Sequence, residues 1–419
     1  MPMKSPPTLK ARLESCLDCI PGDANRVVLA YSGGIDSQVL LHLLSLRSQQ
    51  FEILPWHVNH GLQDMASEME AFCRASASLY GFKIKVSHLN LDAQGSNIEA
   101  RARHARYALF EQFLGQNDCL LTAHHADDQA ETFLLNTLRG SGSAGLRGIA
   151  RARDIGRSYL LRPLLEISRQ EIADYAVQQT LEWQDDPSNS SQRFNRNYLR
   201  NQVMPLIKER WPGYLESIRS VVSIQAETQD TLDEFAELDY QQARLNRDPA
   251  SDAPLSCRVL RELSRSRQKN LIRYWLKYFG YPSLPQARLN ELLAQLNASR
   301  DAMPLIAATD YDIRLYDQCL FIVPHGQTEI TEEIYNFDIQ PLLRIDEIEF
   351  QVERKSIFER LQRKDSGQTI KLKFRCRGNA SNPDSHRLKR LFQKYRVPPW
   401  KRPVTPQVYL DEELVDLWI

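Results

Sequence analysis

The string Ser32-Gly33-Gly34-Ile35-Asp36-Ser37 has the residue types of a phosphate cradle. Two adjacent glycines let a backbone approach an anion closely. A helix starting there would direct free N–H groups and a positive dipole end at it. Ser32 and Ser37 add hydroxyl donors. Asp36 repels a phosphate by itself, so its chemistry is to hold Mg²⁺ against phosphate oxygens. The loop does not read G-x-x-x-x-G-K-[ST], which excludes a Walker A site. Nor does it read G-x-G-x-x-G, so a dinucleotide role fits poorly.

A second group lies in Thr122-Ala123-His124-His125-Ala126-Asp127-Asp128-Gln129-Ala130-Glu131-Thr132. Asp127 and Glu131 stand at i, i+4 and Asp128 and Glu131 at i, i+3, so these carboxylates crowd one helical face. Like charges there invite a bound cation, either Mg²⁺ or a lysine ammonium. The plain alternative is compensation of the helix dipole. Six of nine histidines fall between His57 and His125, none with structural-zinc spacing. Arg101 and Arg103 are two apart and take different helical faces, whereas Arg103 and Arg106 share one better. Arg193, Arg196 and Arg200, interleaved with Phe194 and Tyr198, could clamp phosphates or form a solvated basic helix. Cys16 and Cys19 have metal-ligand spacing but no second pair follows. They read as small apolar residues on an amphipathic helix.

The elements that position these groups are periodic. Residues 26–31, 51–58, 83–89 and 119–123 read as buried strands, too short for helices and bounded by turn residues. Between them, residues 37–46, 64–80 and 96–114 read as helices, the last opened by the capping box Ser96-Asn97-Ile98-Glu99. Such alternation implies an α/β fold, a mostly parallel sheet covered by helices on both faces. Its ligands belong at the carboxyl ends of the strands. A second capping box, Ser168-Arg169-Gln170-Glu171, opens another helix. Residues 211–297 are almost wholly helical in pattern, and residues 310–323 form a hairpin or strand pair. Three domains are expected: 1–215 α/β, 216–330 helical, and 343–419 a small basic α+β tail.

Composition is that of a soluble globular chain, with 42% hydrophobic and 25% charged residues over 419 positions. No run of about 18 apolar residues suggests a membrane span, and the N-terminus lacks a secretory signal. With seven scattered cysteines, this points to a reduced, cytoplasmic setting. The 53 basic residues balance the 53 acidic ones, yet residues 371–403 carry eleven Lys/Arg against one Asp. That patch suits a polyanion. Within it, Lys389, Arg390 and Lys394 lie on a basic amphipathic helix whose Leu388, Leu391 and Phe392 would face a small core. This favours RNA phosphates over a membrane.

The first loop resembles the pyrophosphate (PP) loop of the N-type ATP pyrophosphatases. Further motifs narrow the resemblance: His57-Val58-Asn59-His60-Gly61-Leu62, Glu99-Ala100-Arg101-Ala102-Arg103, the Thr122–Thr132 string, Arg139-Gly140-Ser141-Gly142, Arg162-Pro163-Leu164-Leu165, Asp186-Pro187-Ser188-Asn189 and Asn197-Tyr198-Leu199-Arg200. In this order and spacing they resemble the bacterial tRNA(Ile)-lysidine synthases over the first two hundred residues, and the basic tail is similar to that family's tRNA-gripping terminal domain. The resemblance implies a PP-loop domain that takes ATP and Mg²⁺ on Ser32, Gly33, Gly34, Ile35, Asp36 and Ser37. Asp36, Asp127, Asp128 and Glu131 would be catalytic. His60, Arg101, Arg103, His124, Arg139, Arg200, Lys389, Arg390 and Lys394 would contact substrate. It further implies free L-lysine and tRNA(Ile) with a CAU anticodon as substrates, and is compatible with a homodimer. The nearest rival is a tRNA thiolase with the same loop and a sulfur donor, which usually carries a cysteine pair near its site.

Overall fold

The computed structural model describes residues 8–59, 66–89, 98–185, 195–245, 254–296, 305–326, 334–337, 342–345, 348–351, 370–373, 384–410 and 413–417. The chain divides into two compact units, residues 1–231 and 232–419.

The first unit follows the expected alternation: α1 (Leu9–Ser15), β1 (Arg26–Ala30), α2 (Ile35–Ser45), β2 (Glu52–Asn59), α3 (Ala66–Leu79), β3 (Lys85–His88), α4 (Ile98–Phe113), β4 (Asp118–Leu121) and α5 (Ala126–Leu138). After α6 (Ser143–Leu146) come β5 (Ala152–Ile155), β6 (Ser158–Leu161) and α7 (Arg169–Gln178). The strands form one sheet in the order β3-β2-β1-β4-β6-β5, parallel except for the edge strand β5. Central β1 is apolar on both faces, as a sheet covered on both sides requires. Val27 and Leu29 face a core shared with α1, α2 and α7, whereas Val28 faces Trp56, Phe110 and Leu120. The chain builds outward from β1 to β3 and then returns to place β4 on the other side of β1. That reversal opens a crevice at the carboxyl ends of β1 and β4.

The β5–β6 hairpin was not apparent from sequence patterning. Its two-residue loop starts with Gly156 at φ +56°, a conformation that favours glycine in a hairpin turn. The capping box at α7 forms as expected: the Glu171 N–H donates to Ser168 Oγ at 3.2 Å, and the Ser168 N–H to Glu171 Oε2 at 2.9 Å. The box at Ser96 lies outside the described residues.

Past α7 come α8 (Asn195–Tyr198), one π turn (Leu199–Val203), α9 (Met204–Arg210) and the long α10 (Tyr214–Ala243). The second unit continues with β7 (Leu255–Ser256), α11 (Cys257–Glu262), α12 (Arg265–Tyr278), α13 (Gln286–Gln295), β8 (Leu305–Ala307), β9 (Tyr311–Tyr316) and β10 (Cys319–Pro324). The expected hairpin is β9–β10. Its turn residues Asp317 and Gln318 both take positive φ, which matches the strand twist. Short β7 lies within the stretch that sequence pattern reads as helical.

The terminal part holds β11 (Ile334–Phe337), β12 (Leu342–Ile345), β13 (Ile348–Gln351), β14 (Ile370–Lys373), α14 (Ser385–Lys394), β15 (Gln407–Leu410) and β16 (Glu413–Leu417). It is an antiparallel α+β arrangement with sheet order β11-β14-β15-β16. Leu388 and Phe392 of α14 are buried with Val397, Tyr409, Leu414 and Leu417, and Leu391 packs against that core. This leaves Lys389, Arg390 and Lys394 exposed. No helix among the described residues is long and apolar enough to cross a membrane.

Candidate functional site

The crevice is built from two strand-to-helix turns. At the first, Gly33 has φ +84°, and a Cβ there would sit 2.8 Å from Met69 Sδ and 2.9 Å from Cys73 Sγ. Backbone conformation and space therefore both demand glycine. Gly34 caps α2 without a side chain, so no capping group competes with an anion for the first-turn N–H groups. Ser37 holds the loop in shape: its Oγ accepts from the N–H groups of Gly33 (3.1 Å) and Ser32 (3.3 Å) and donates to Gly34 O (2.9 Å). The Gln184 N–H pins Gly33 O at 3.1 Å.

Asp36, in the first turn of α2, points across to the turn after β4. Its Oδ2 is 3.8 Å from Nε2 of buried His125, and its Oδ1 is buried with no hydrogen-bond partner among the described residues. Burial pushes the Asp36 carboxyl above its ordinary range; nearby Asp128 adds to this, and His125 opposes it. A carboxylate held at such a disadvantage gains when a cation arrives. His125 is the cap of α5. Its Nδ1 accepts from the Asp128 N–H at 3.4 Å, while the Asp128 carboxylate accepts from the His125 N–H at 3.1 Å. An accepting Nδ1 leaves the ring proton on Nε2, the nitrogen facing Asp36 and Asp128.

The three acidic residues of α5 split into two settings. Asp127 Oδ2 accepts from the Arg169 N–H at the start of α7 (2.8 Å), and its Oδ1 from the Tyr214 hydroxyl (3.1 Å). Asp128 and Glu131, both buried, share two arginines. Arg196 donates to Glu131 at 2.9 Å and to Asp128 at 3.0 Å. Arg200 donates to Glu131 at 2.5 and 2.9 Å and to Asp128 at 2.8 Å. The cation invited by those carboxylates is thus supplied from within, and the forks of Arg196 and Arg200 grip carboxylates where sequence suggested phosphates. Arg193 lies outside the described residues.

Burial alone would raise the Asp128 carboxyl, but His125, Arg196 and Arg200 outweigh it and hold it at about 2, against 3.8 for the free group. A depressed acid stabilises the fold above its unfolded pKa and loses that contribution as pH falls. Acid titration of the folded chain should therefore show on the order of 2 kcal/mol lost between about pH 4 and pH 2. Asp128→Asn should remove that step from a pH series of thermal midpoints; an identical acid limb in the variant would exclude it.

The remaining sequence candidates scatter. His124 is nearby, with Nδ1 2.9 Å from Thr122 Oγ1. Burial, helped by Arg162 and Arg103, drives its pKa down to about 3 against the pull of Asp128, so it is a neutral imidazole at pH 7. Arg101 and Arg103 lie exposed on α4, and Arg139 is exposed just past α5. His60 lies outside the described residues. Lys389, Arg390 and Lys394 belong to the second unit. Sequence reading missed Tyr214 and the Arg169 backbone as partners of Asp127. It also passed over a G-x-G-x-x-G string at Gly140, Gly142 and Gly145. That string follows helix α5 rather than a strand, so it lacks the context of a dinucleotide site. The six cysteines among the described residues are all unbridged, and no cluster of three or more His, Cys, Asp or Glu has metal-binding geometry among those residues.

A strand–glycine loop–helix cradle at the switch point of a parallel sheet defines a class, and a PP-loop domain model matches residues 7–207. Two further models match: the TilS substrate binding domain at residues 255–321 and the TilS substrate C-terminal domain at residues 369–417. Among curated relatives, the tRNA(Ile)-lysidine synthase of Serratia proteamaculans is 35% identical over 94% of this chain and 91% of its own. That of Coxiella burnetii is 36% identical over 92% and 87%. That of Alkalilimnicola ehrlichii is 35% identical over 99% and 93%. The chain belongs to the tRNA(Ile)-lysidine synthase family, ligases that modify tRNA.

Proposed function

We propose that this chain ligates free L-lysine to C2 of the wobble cytidine in tRNA(Ile) with a CAU anticodon. ATP would be consumed, and AMP and pyrophosphate released. The cytidine O2 attacks the α-phosphate of ATP and expels pyrophosphate; the lysine ε-amine then attacks C2, and AMP leaves with the oxygen. The observation carrying this reading is the orphaned Asp36 Oδ1, buried beside an uncapped phosphate cradle at a sheet switch point. Ser32, Gly33, Gly34, Ile35 and Ser37 bind and orient the phosphates. Asp36 is the residue that would hold Mg²⁺; a single carboxylate with substrate oxygens fits that ion's habits. When bound, Mg²⁺ supplies charge neutralisation at the α-phosphate.

Asp128 and Glu131 would receive the lysine ammonium by exchanging it for a guanidinium of Arg196 or Arg200, while Asp127 braces α5 against α7 and Tyr214. Neutral His124 can accept or donate a hydrogen bond to the splayed base, with Arg101, Arg103 and Arg139 along its RNA. In this reading 1–215 performs the chemistry, 216–330 and 343–419 hold the tRNA, and the chain works in the cytoplasm, where a homodimer is compatible.

Mass spectrometry of the product tRNA tests the reaction: a lysine increment supports it, and a sulfur increment assigns the chain to thiolation. The tail has its own test. Neutralising Lys389, Arg390 and Lys394 together should weaken tRNA binding. The salt slope should flatten by about one unit per lost phosphate contact. An unchanged slope would return α14 to a structural role.

A further inference from the structure

Several arginines of the first unit have carboxylate partners: Arg12 pairs with Glu171, Arg26 with Asp118 and Arg151 with Glu166. Four others gather around Tyr107 instead. The guanidinium carbons of Arg103, Arg106 and Arg153 lie 5.1, 5.9 and 5.0 Å from the centre of its ring. Arg162 lies close enough to the same residue for Tyr107 to oppose the lowering of its pKa. Arg162 is 3% exposed; it gives one N–H to Ala150 O, and its buried Nε has no partner among the described residues. Among the described residues, none of the four forms an ion pair with a carboxylate.

A solvated basic helix face does not produce this arrangement. The four side chains come from α4, from edge strand β5 and from the residue after β6, three elements separated in sequence. Burial and Arg103 depress Arg106, although Tyr107 opposes this; burial likewise depresses Arg162, together with Arg153 and Arg103. One aromatic ring attracts these cations without neutralising them. The missing component is an anion, and guanidinium forks match a phosphoryl group bidentately. The cluster also borders the site: Arg162 follows Leu161, whose carbonyl accepts from the Thr122 N–H at 3.1 Å, and the Thr122 hydroxyl lies 2.9 Å from His124 Nδ1.

We infer that Arg106, Arg153 and Arg162, gathered on Tyr107, form a phosphate subsite filled by a backbone phosphodiester of the RNA next to the reacting nucleotide. This rests on the reading of the chain as an ATP-dependent tRNA ligase. A free polyphosphate offers the same chemistry, but the Ser32–Ser37 loop already provides a cradle for one. The RNA, whose base is read on His124 with Arg103 beside it, brings its own backbone phosphates to this side of the crevice.

The test uses the full chain with Arg153→Gln, Arg106→Gln, both together, and Arg153→Lys. tRNA affinity is measured across a salt series and the KM for ATP alongside. The double variant should bind tRNA several-fold more weakly, with a salt slope shallower by about 0.7–0.9 per lost contact, and an unchanged KM for ATP. Arg153→Lys should keep the slope, because the charge remains. Arg153 is exposed on an edge strand, so Arg153→Gln alone carries the same expectation at about half the size if the double variant does not fold. An unchanged slope overturns the subsite, and so does a raised KM for ATP with RNA binding intact. If the unaltered chain fails to bind tRNA, the proposed function falls and the subsite with it. If the unaltered chain binds and the double variant matches it, only the subsite falls.

Discussion

Replacing Asp36 with Ala should lower ATP-dependent modification by about 10³-fold or more while leaving tRNA affinity nearly unchanged. The reason lies in the two oxygens of this carboxylate. Among the described residues, one is buried without a hydrogen-bond partner and the other pairs with His125 alone, at 3.8 Å, so the group is arranged for something those residues do not supply. No neighbouring side chain could take its place, because Asp128 is already gripped by Arg196 and Arg200. The same change should leave the thermal midpoint equal or raise it. An acid whose pKa is pushed up by burial costs stability at neutral pH, where it is charged, and Ala removes that cost. Loss of activity with a gain in stability is the signature of a functional group held in an unfavourable setting. A large drop in tRNA affinity would instead place Asp36 on the RNA side of the reaction.

Arg200→Met should cost about 3 kcal/mol. Removing one partner from a buried ion network leaves charge uncompensated, and losses of about 3–5 kcal/mol are typical. The low end applies because the Arg200 side chain keeps 23% exposure and Arg196 still contacts both carboxylates. In a unit of this size each kcal/mol moves the midpoint by about 2–4 °C, so a fall near 10 °C is expected. Adding Glu131→Gln should recover part of it, since the orphaned charge goes with the substitution. A midpoint unmoved by Arg200→Met would show that Arg196 alone neutralises the pair. Arg200→Met should also raise the KM for lysine little or even lower it, because one competitor for the carboxylates has gone.

Local physics made much of the site readable. The run at residues 27–30 is too short for a helix and apolar throughout, which a central parallel strand needs. The two glycines after it were legible because a positive φ and a close approach are demands on single residues. Basic helix α14 could be read for the same reason: Leu388 and Phe392 at i, i+4 set its inner face and thereby its outer one.

What could not be read are the partnerships across the chain. Arg196 and Arg200 meet Asp128 and Glu131 across separations of 65 to 72 residues, and Tyr214 meets Asp127 across 87. Complementary spacing, i, i+4 arginines against i, i+3 carboxylates, was the one available hint. The β5–β6 hairpin escaped because its edge strand carries Arg153 and Asp154, polar residues that hide the alternation. The arginines around Tyr107 escaped too, because two of the four, Arg153 and Arg162, come from the unread β5–β6 hairpin.

The central claim is that the loop at Ser32–Ser37 drives transfer of lysine to RNA. The most direct measurement is incorporation of radiolabelled lysine into bulk bacterial tRNA, with ATP supplied or omitted, in the unaltered chain and in Asp36→Ala. Labelling that requires ATP and vanishes in Asp36→Ala is the expected result. ATP consumption without any lysine on the tRNA would contradict it, keeping the fold and its cradle but giving the activated RNA to a different acceptor.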